Sequence, residues 1–242
     1  MATVFEIAGS IALYRKPYTT TSTVSFPIPP PTAVAGLIAC IVGIDNGSEK
    51  KANSAQYWKE MNGTRIAIQR LNVNAWFSAA LNFSNPKEPQ KNPHIQIRHQ
   101  FVRNPMYRIF VQDGLETRLD EYLRTGRSYF TPVLGAAYAL ADLTYCGQFD
   151  FEKELLSGGE KDVPVSSVVP LMEDTEASIN FLASKGMLKD EFPFRLNQER
   201  ALVETIRLLY PISPSHRIIL TPWKGLDITH FRDEYIAWLP TW

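Results

Sequence analysis

Four prolines stand between Phe26 and Thr32, in Phe26-Pro-Ile-Pro-Pro-Pro-Thr-Ala-Val-Ala-Gly-Leu37. Proline donates no backbone hydrogen bond and fixes φ, so it breaks a sheet or a helix interior but suits a helix's first turn. The chain must therefore pass from the proline run directly into a helix. The run Ala33 to Val42 has the composition for it, with Gly43 or the cluster Asp45-Asn46-Gly47 to end it. Thr32 is the expected cap. The N–H groups of that first turn lack helical partners and the helix dipole favours an anion there, so a phosphate would fit. Ala33, Gly36, Cys40 and Gly43 make one stripe of small residues along the helix. Two things could approach it closely: the helix's own sheet, or a nucleic-acid backbone.

Upstream lie Arg15, Lys16, Tyr18, Thr19, Thr20, Thr21, Ser22 and Thr23. Cations, an aromatic face and short hydroxyls are the groups that hold single-stranded RNA through phosphates, bases and sugars. A solvated polar loop has the same composition, so the residue types alone leave both readings open.

The net charge of zero hides an uneven distribution. Residues 1–49 hold two basic and three acidic groups, residues 50–127 thirteen and six, and residues 128–242 ten and sixteen. A basic middle beside an acidic remainder points to a local polyanion contact and a separate acidic face. The longest apolar run, Ala33 to Ile44, is shorter than the roughly 20 residues of a membrane span. No secretory signal opens the chain, and a cytoplasmic location is expected. Cys40 and Cys146 lie among apolar residues with no partner at metal-binding spacing, and are expected to be buried, inert thiols.

Alternation of apolar residues predicts a first strand over residues 3–13. A second spans 65–71 and continues, bulged near 69–71, to Phe83. The segment 84–93 has three prolines and cannot join a sheet interior. Alternating runs flank it, Trp76 to Phe83 and His94 to Val102, which makes a long hairpin arm with a polar tip. A strand over 106–111, a helix over 115–123 and a strand over 136–146 follow. This strand, helix, strand, strand, helix, strand order predicts an α+β fold, a ferredoxin-like or RNA-recognition-type (RRM-like) sandwich carrying the arm as an insertion. Residues 148–162 read as a linker. Beyond it, short strands over 163–169, 178–182, 202–210 and 217–220 predict a small β-rich C-terminal domain, residues 163–242.

The N-terminal residues also resemble a known family. A strand, Arg15, the run Tyr18-Thr-Thr-x-Ser22, then Phe26-Pro-x-Pro-Pro-x-Thr-Ala-x-x-Gly-Leu-Ile38 leading to Gly43 is similar to the amino-terminal signature of the fifth family of CRISPR-associated proteins, in the RAMP superfamily. The passage His94 to Val111 and the turn Tyr129-Phe-Thr-Pro-Val-Leu-Gly135 agree with it. The matches span residues 3–147, and the overall pattern is closest to type I-B-like members.

The resemblance implies a non-catalytic subunit of a type I Cascade complex, with no cofactor and no metal. Residues 1–147 would grip the 5′ handle of the guide crRNA, and the hairpin at about 74–103 would act as a thumb beside the guide. Its partners would be the Cascade backbone subunit, the large subunit, and target DNA near the guide 5′ end. By position, Arg15, Lys16, Tyr18, Thr19, Thr20 and Ser22 would contact the handle, with Thr32 and Gly36 at the helix start. Arg98, His99, Gln100 and Arg103 would lie on the thumb or its base.

Two rivals are set against this. Some members of the family cut the guide precursor without a metal, using a Tyr, a Lys and a His; here His94 and His99 are near Tyr107 in sequence, but no such set is evident. A scaffold without RNA contact is the other. A repeat-cutting endonuclease of a separate family would carry a glycine-rich loop near the C-terminus, where residues 190–242 contain only Gly225. No histidine pair has helical metal-ligand spacing.

Overall fold

The computed structural model describes residues 1–19, 22–47, 54–73, 75–151, 155–156, 161–172, 178–221 and 225–242. The chain opens with β1 (Ala2–Ala8) and β2 (Ile11–Ala12), then helix α1 (Pro31–Val42), the single turn α2 (Tyr57–Glu60) and β3 (Arg65–Arg70). Next come β4 (Ala75–Ser84), β5 (His94–Arg103), β6 (Met106–Gln112), α3 (Glu116–Arg124) and β7 (Asp142–Phe149). Strands complete it: β8 (Leu155–Leu156), β9 (Val163–Val165), β10 (Val169–Pro170), β11 (Met187–Leu196), β12 (Leu202–Pro211), β13 (Ile218–Leu220), β14 (Ile228–Phe231) and β15 (Glu234–Ala237).

β3, β6, β1 and β7 form one antiparallel sheet in that order. The two halves each cross over through a helix, α1 between β1 and β3 and α3 between β6 and β7, so the expected β-α-β-β-α-β connectivity is present. β1 does not show simple alternation, because both faces of the sheet are covered. Phe5 and Ile7 pack with Ile66, Ile68, Tyr107 and Ile109 against Leu37, Ile38 and Ile41 of α1 and Leu119 of α3. On the opposite face Ala2, Val4, Ala67 and Phe110 meet Phe151, Phe231, Ile236 and Trp238 from the C-terminal part. The helix-side core also takes in Phe192, Phe194, Leu208, Tyr210, Leu239 and Trp242. Apolar burial thus runs continuously from the first strand to the last residue.

Several expected elements differ. The first strand ends at Ala8, and Ile11–Ala12 pairs instead with β5. The long second strand is two strands in different sheets, β3 and β4, so the phase shift near residues 69–71 is a change of sheet. Both follow from one event. At Asn104, which has φ 46°, and Pro105, the chain passes from β5 to β6, and the arm leaves the main sheet there. The alanine-rich run 136–141 is a turn region bridged only at Val133 and Leu140, in keeping with the weak strand propensity of alanine, and β7 starts at Asp142 and reaches Phe149.

In the C-terminal part, the strand expected over 178–182 is reduced to an isolated bridge, Ile179 to Leu220, after which the chain turns. The Asn180 side chain accepts the Ala183 N–H at 3.1 Å and its carbonyl accepts the Ser184 N–H at 3.0 Å. The expected strands include neither β11, β14 and β15 nor β8, which lies in the stretch expected to be a linker and pairs with β14. β11 carries Lys189, Asp190, Glu191 and Pro193, which a sheet tolerates on an edge, and β11 is the edge of the sheet β10-β12-β11. The other sheet has the order β13-β9-β15-β14-β8. Among the described residues no helix is long and apolar enough to cross a membrane.

Trp238 is 2% exposed, donates its indole N–H to Thr229 Oγ1 at 2.8 Å and meets the Phe110 ring edge to face. Trp238→Ala is expected to cost about 3–5 kcal/mol, as for large buried side chains generally. A lowered urea midpoint with little change in slope checks this.

Candidate nucleic-acid interface

The polar segment before α1 is a two-stranded ribbon. Arg15 bridges Ser25, the Lys16 N–H donates to Val24 O at 2.8 Å, and the Phe26 N–H donates to Tyr14 O at 2.8 Å. Its tip is tied to the arm. The Thr23 N–H donates to Arg98 O at 2.9 Å and Thr23 O accepts the Gln100 N–H at 2.8 Å, extending the edge of β5 that β2 covers further along. The hydroxyls therefore divide by role. Ser25 is buried, accepting the Tyr14 N–H and donating to Phe26 O, and Thr23 is buried at the bridge. Tyr18 is 69% exposed, and Ser22 is exposed. Thr19 Oγ1 donates to Lys16 O at 2.8 Å while Thr19 O accepts from the Arg15 guanidinium at 2.7 Å, which shapes the tip. Thr20 lies outside the described residues.

Lys16 is not a free cation. Its ammonium pairs with Asp190 of β11 and sits 4.9 Å from the centre of the Phe26 ring. Desolvation works to lower its pKa, but the hydrogen bonds and charges of Asp190 and Tyr18 outweigh it, and the group titrates above its usual value.

At the helix start the cap position is Pro30, and Thr32 is the second helical residue, with no side-chain capping bond. The prolines make a cap unnecessary. Pro31 has no N–H to satisfy, and the Ala33 and Val34 N–H groups both donate to Pro30 O, at 2.8 and 3.1 Å. The anion-attracting end expected from the sequence thus narrows to the Thr32 N–H.

The small-residue stripe faces away from the sheet. Gly36, Ala39, Cys40 and Gly43 line an open cleft of about 850 Å³ with Tyr57, Tyr129, Phe130 and Arg200. A Cβ on Gly36 would meet nothing within 4 Å, so no contact within the described residues requires glycine there. Gly43 differs: it caps the helix at φ 74°, and a Cβ would collide with the Tyr129 ring. The two cysteines are half-buried rather than buried, and burial pushes both thiols up.

The arm is a ten-pair hairpin from Ala75 opposite Arg103 to Ser84 opposite His94. Because side chains alternate, residues adjacent in sequence diverge. Phe77, Phe83, His99 and Phe101 share one face, with Phe77–Phe101 centroids 5.0 Å apart, His99–Phe101 5.8 Å and Phe83–His99 5.5 Å. Arg103 is on that face and exposed, and His99 is buried with Nδ1 3.0 Å from Ile97 O. Exposed Arg98 and half-buried Gln100 share the other face with Trp76. That face closes a cleft of about 350 Å³ with Lys16 and Ser25 of the ribbon, Arg70 of β3, and Leu188, Asp190 and Tyr210 of β11 and β12. Burial pushes the Tyr210 phenol up to about 12, so it remains a donor at neutral pH. Arg70 and Tyr210 were outside the residues expected from sequence. The only signal was an arginine ending an otherwise buried strand.

The residues named for the catalytic rival are placed as follows: Tyr107 is buried on β6 and its hydroxyl donates to Pro27 O at 2.8 Å, His99 is stacked between Phe83 and Phe101, and His94 lies at the far end of the arm. Among the described residues no group of three His, Cys, Asp or Glu could hold a metal ion.

The family model described as "CRISPR-associated protein (Cas_Cas5)" matches residues 3–124, half of the chain. The chain belongs to the Cas5 family. In this Cas5 chain the match covers β1 through α3, including the ribbon, α1 and the whole arm. No curated protein sequence matches. Among solved structures it is similar to a CRISPR protein from Archaeoglobus fulgidus, with TM-score 0.57 and 11% identity over 98% of this chain and 99% of that one. It is also similar to a chain of a CRISPR RNA-guided surveillance complex, with TM-score 0.51 and 13% identity over 93% and 92%. A third is a chain of a Type III-B Cmr-beta complex bound to cognate target RNA and AMPPnP, with TM-score 0.52 and 11% identity over 90% and 86%. At these identities the likeness is one of fold.

Thr23→Pro removes the N–H that donates to Arg98 O, one of the two hydrogen bonds tying the Cas5 ribbon to β5, and so loosens its neighbour, the bond from Gln100 to the residue-23 carbonyl. Amide exchange at Gln100 is expected to rise roughly tenfold, the worth of one or two backbone hydrogen bonds, while β1 and β6 amides keep their protection.

Proposed function

We propose that this chain is the subunit of a type I CRISPR effector complex that holds the 5′ handle of the guide RNA, without cutting it. The observation that carries the reading is the anchoring of the ribbon on the arm. Arg15, Tyr18 and Ser22 are exposed on a tip whose backbone is hydrogen-bonded to the strand bearing exposed Arg98. Loop and arm thus offer one preorganised surface with cations for phosphates, a ring for a base and hydroxyls for sugars. Thr19 shapes the tip, and Thr20 belongs to the same run. The Thr32 N–H and the uncovered Gly36 let an RNA backbone approach the helix closely.

In this reading residues 1–147 are a ferredoxin-like, RNA-recognition-type RAMP domain with the arm as its thumb, 148–162 a connection, and 163–242 a small β-rich domain. RNA-recognition domains stack bases on an open sheet face. Here Phe231 and Trp238 cover that face, so recognition falls to the ribbon and arm. Phe77, Phe83 and Ile95, each more than a third exposed, give the thumb an apolar face. His99 supports that face from within, and Arg103 edges it. The thumb would lie beside the guide and the target DNA near its 5′ end, with the backbone subunit on one side of the protein and the large subunit on the other. The fold likeness to a chain of a CRISPR RNA-guided surveillance complex supports assembly of this kind. The work would take place in the cytoplasm, with no cofactor.

The test is incubation of the purified chain with labelled repeat RNA in the absence of divalent metal. Binding without change of length is expected, and a cut product would establish the endoribonuclease instead. In the co-expressed complex, Arg15→Ala with Tyr18→Ala is expected to lower bound guide RNA about tenfold, the scale of one lost stacking contact and one phosphate contact, with the fold intact. Undiminished guide content in that double variant would sink the assignment.

A further inference from the structure

Arg70 closes β3 opposite Tyr107 and is 5% exposed. Its Nη1 donates to Ile212 O at 2.9 Å, and the Tyr210 ring centre lies 5.7 Å from its Cζ. Nε and Nη2 are buried and have no hydrogen-bond partner among the described residues. Those two nitrogens present their N–H groups along one edge of the guanidinium, the edge that grips a phosphate or carboxylate with two parallel bonds. No described acid pairs with it, and Asp190, the acid in the same cleft, is engaged by Lys16.

The neighbouring strand shows how this fold treats a structural arginine. Arg108, also little exposed, has Glu6 at 2.7 Å, Gln69 Oε1 at 3.0 Å and Glu234 at 3.9 Å. Among the described residues Arg70 has one carbonyl and the Tyr210 ring, and no carboxylate. A buried cation with an open fork is costly unless something outside the fold completes it.

The surroundings indicate what that is. The same cleft of about 350 Å³ holds the Trp76 indole, 43% exposed, and the Gln100 amide, both on the arm, and Lys16 and Ser25 of the ribbon. We propose that this cleft receives one nucleotide of the bound RNA, its phosphate on the Nε–Nη2 edge of Arg70, its base against Trp76 and the base edge at Gln100. A carboxylate would satisfy the fork but would leave the indole and amide without a role. The inference rests on the handle-binding reading, since the cleft lies between the two elements that reading uses.

The test compares the full chain with Arg70→Gln, Arg70→Lys and Trp76→Ala in binding labelled repeat RNA over a range of salt. Arg70→Gln is expected to weaken binding about tenfold and to reduce the salt slope by about one. Arg70→Lys keeps the charge but loses the fork, and is expected to weaken binding while keeping the slope. The melting temperature of Arg70→Gln without RNA should not fall, because an unpaired buried charge has been removed. Should that variant fail to fold, Trp76→Ala on the exposed arm decides, with a loss of about tenfold expected. Wild-type binding with unchanged affinity and slope in the variants would overturn the cleft proposal and leave the handle reading standing, including the case in which a protein carboxylate fills the fork. Failure of the wild-type chain to bind repeat RNA at all would overturn both, and is told apart by that control.

Discussion

Because the sheet β3-β6-β1-β7 is covered on both faces, strands that run past its end must find hydrogen-bond partners elsewhere. Three do so at one level. β1 gives way to β2, β3 to β4, and β5 to β6, and the departing strands form the sheet β2-β5-β4. The arm is therefore an outgrowth of the same strands that make the core. On the covered face, ion pairs and hydrogen bonds link Glu6, Arg108, Gln69, Glu234 and Arg217, joining the first strand to β13–β15. Polar groups taken out of water there are matched to one another, which keeps the burial affordable.

A two-stranded hairpin is at best marginal in water. This one gains a third strand in β2, an edge bridge from Thr23, and a run of stacked rings from Phe83 through His99 to Phe101. The same Thr23 bonds that steady the arm also hold the ribbon, so the two elements proposed to hold RNA support each other. Preorganisation of this kind lowers the ordering cost of binding a flexible single strand.

Charge is used in two different ways around the ribbon. Lys16 is matched to Asp190 and thereby fastens the ribbon to β11, whereas Arg15 and Arg98 stay exposed at the rim. Arg70 is a third case, buried but incompletely paired. A residue's value as an anion contact here depends on what its neighbours have already taken, which residue type does not reveal.

Local constraints were legible from the residues. Proline chemistry set the start of α1, Gly43 its end, the prolines of 84–93 the tip of the arm, and apolar alternation the order of strands and helices in the first half. The motifs around Tyr18 and Phe26 carried the family. What local pattern could not carry was pairing over long distance. The sheet change at Gly9, Arg70 and Asn104 depends on which strand meets which. Strand β11 was hidden because an edge position tolerates Pro193 and its charges. The pairing of Lys16 with Asp190 spans 174 residues. The burial of Thr23 and Ser25, the clamping of His99 and the open fork of Arg70 arise only when ribbon, arm and β11–β12 close on one another. Such contacts join distant segments, and a sequence read along the chain contains no period or spacing that encodes them.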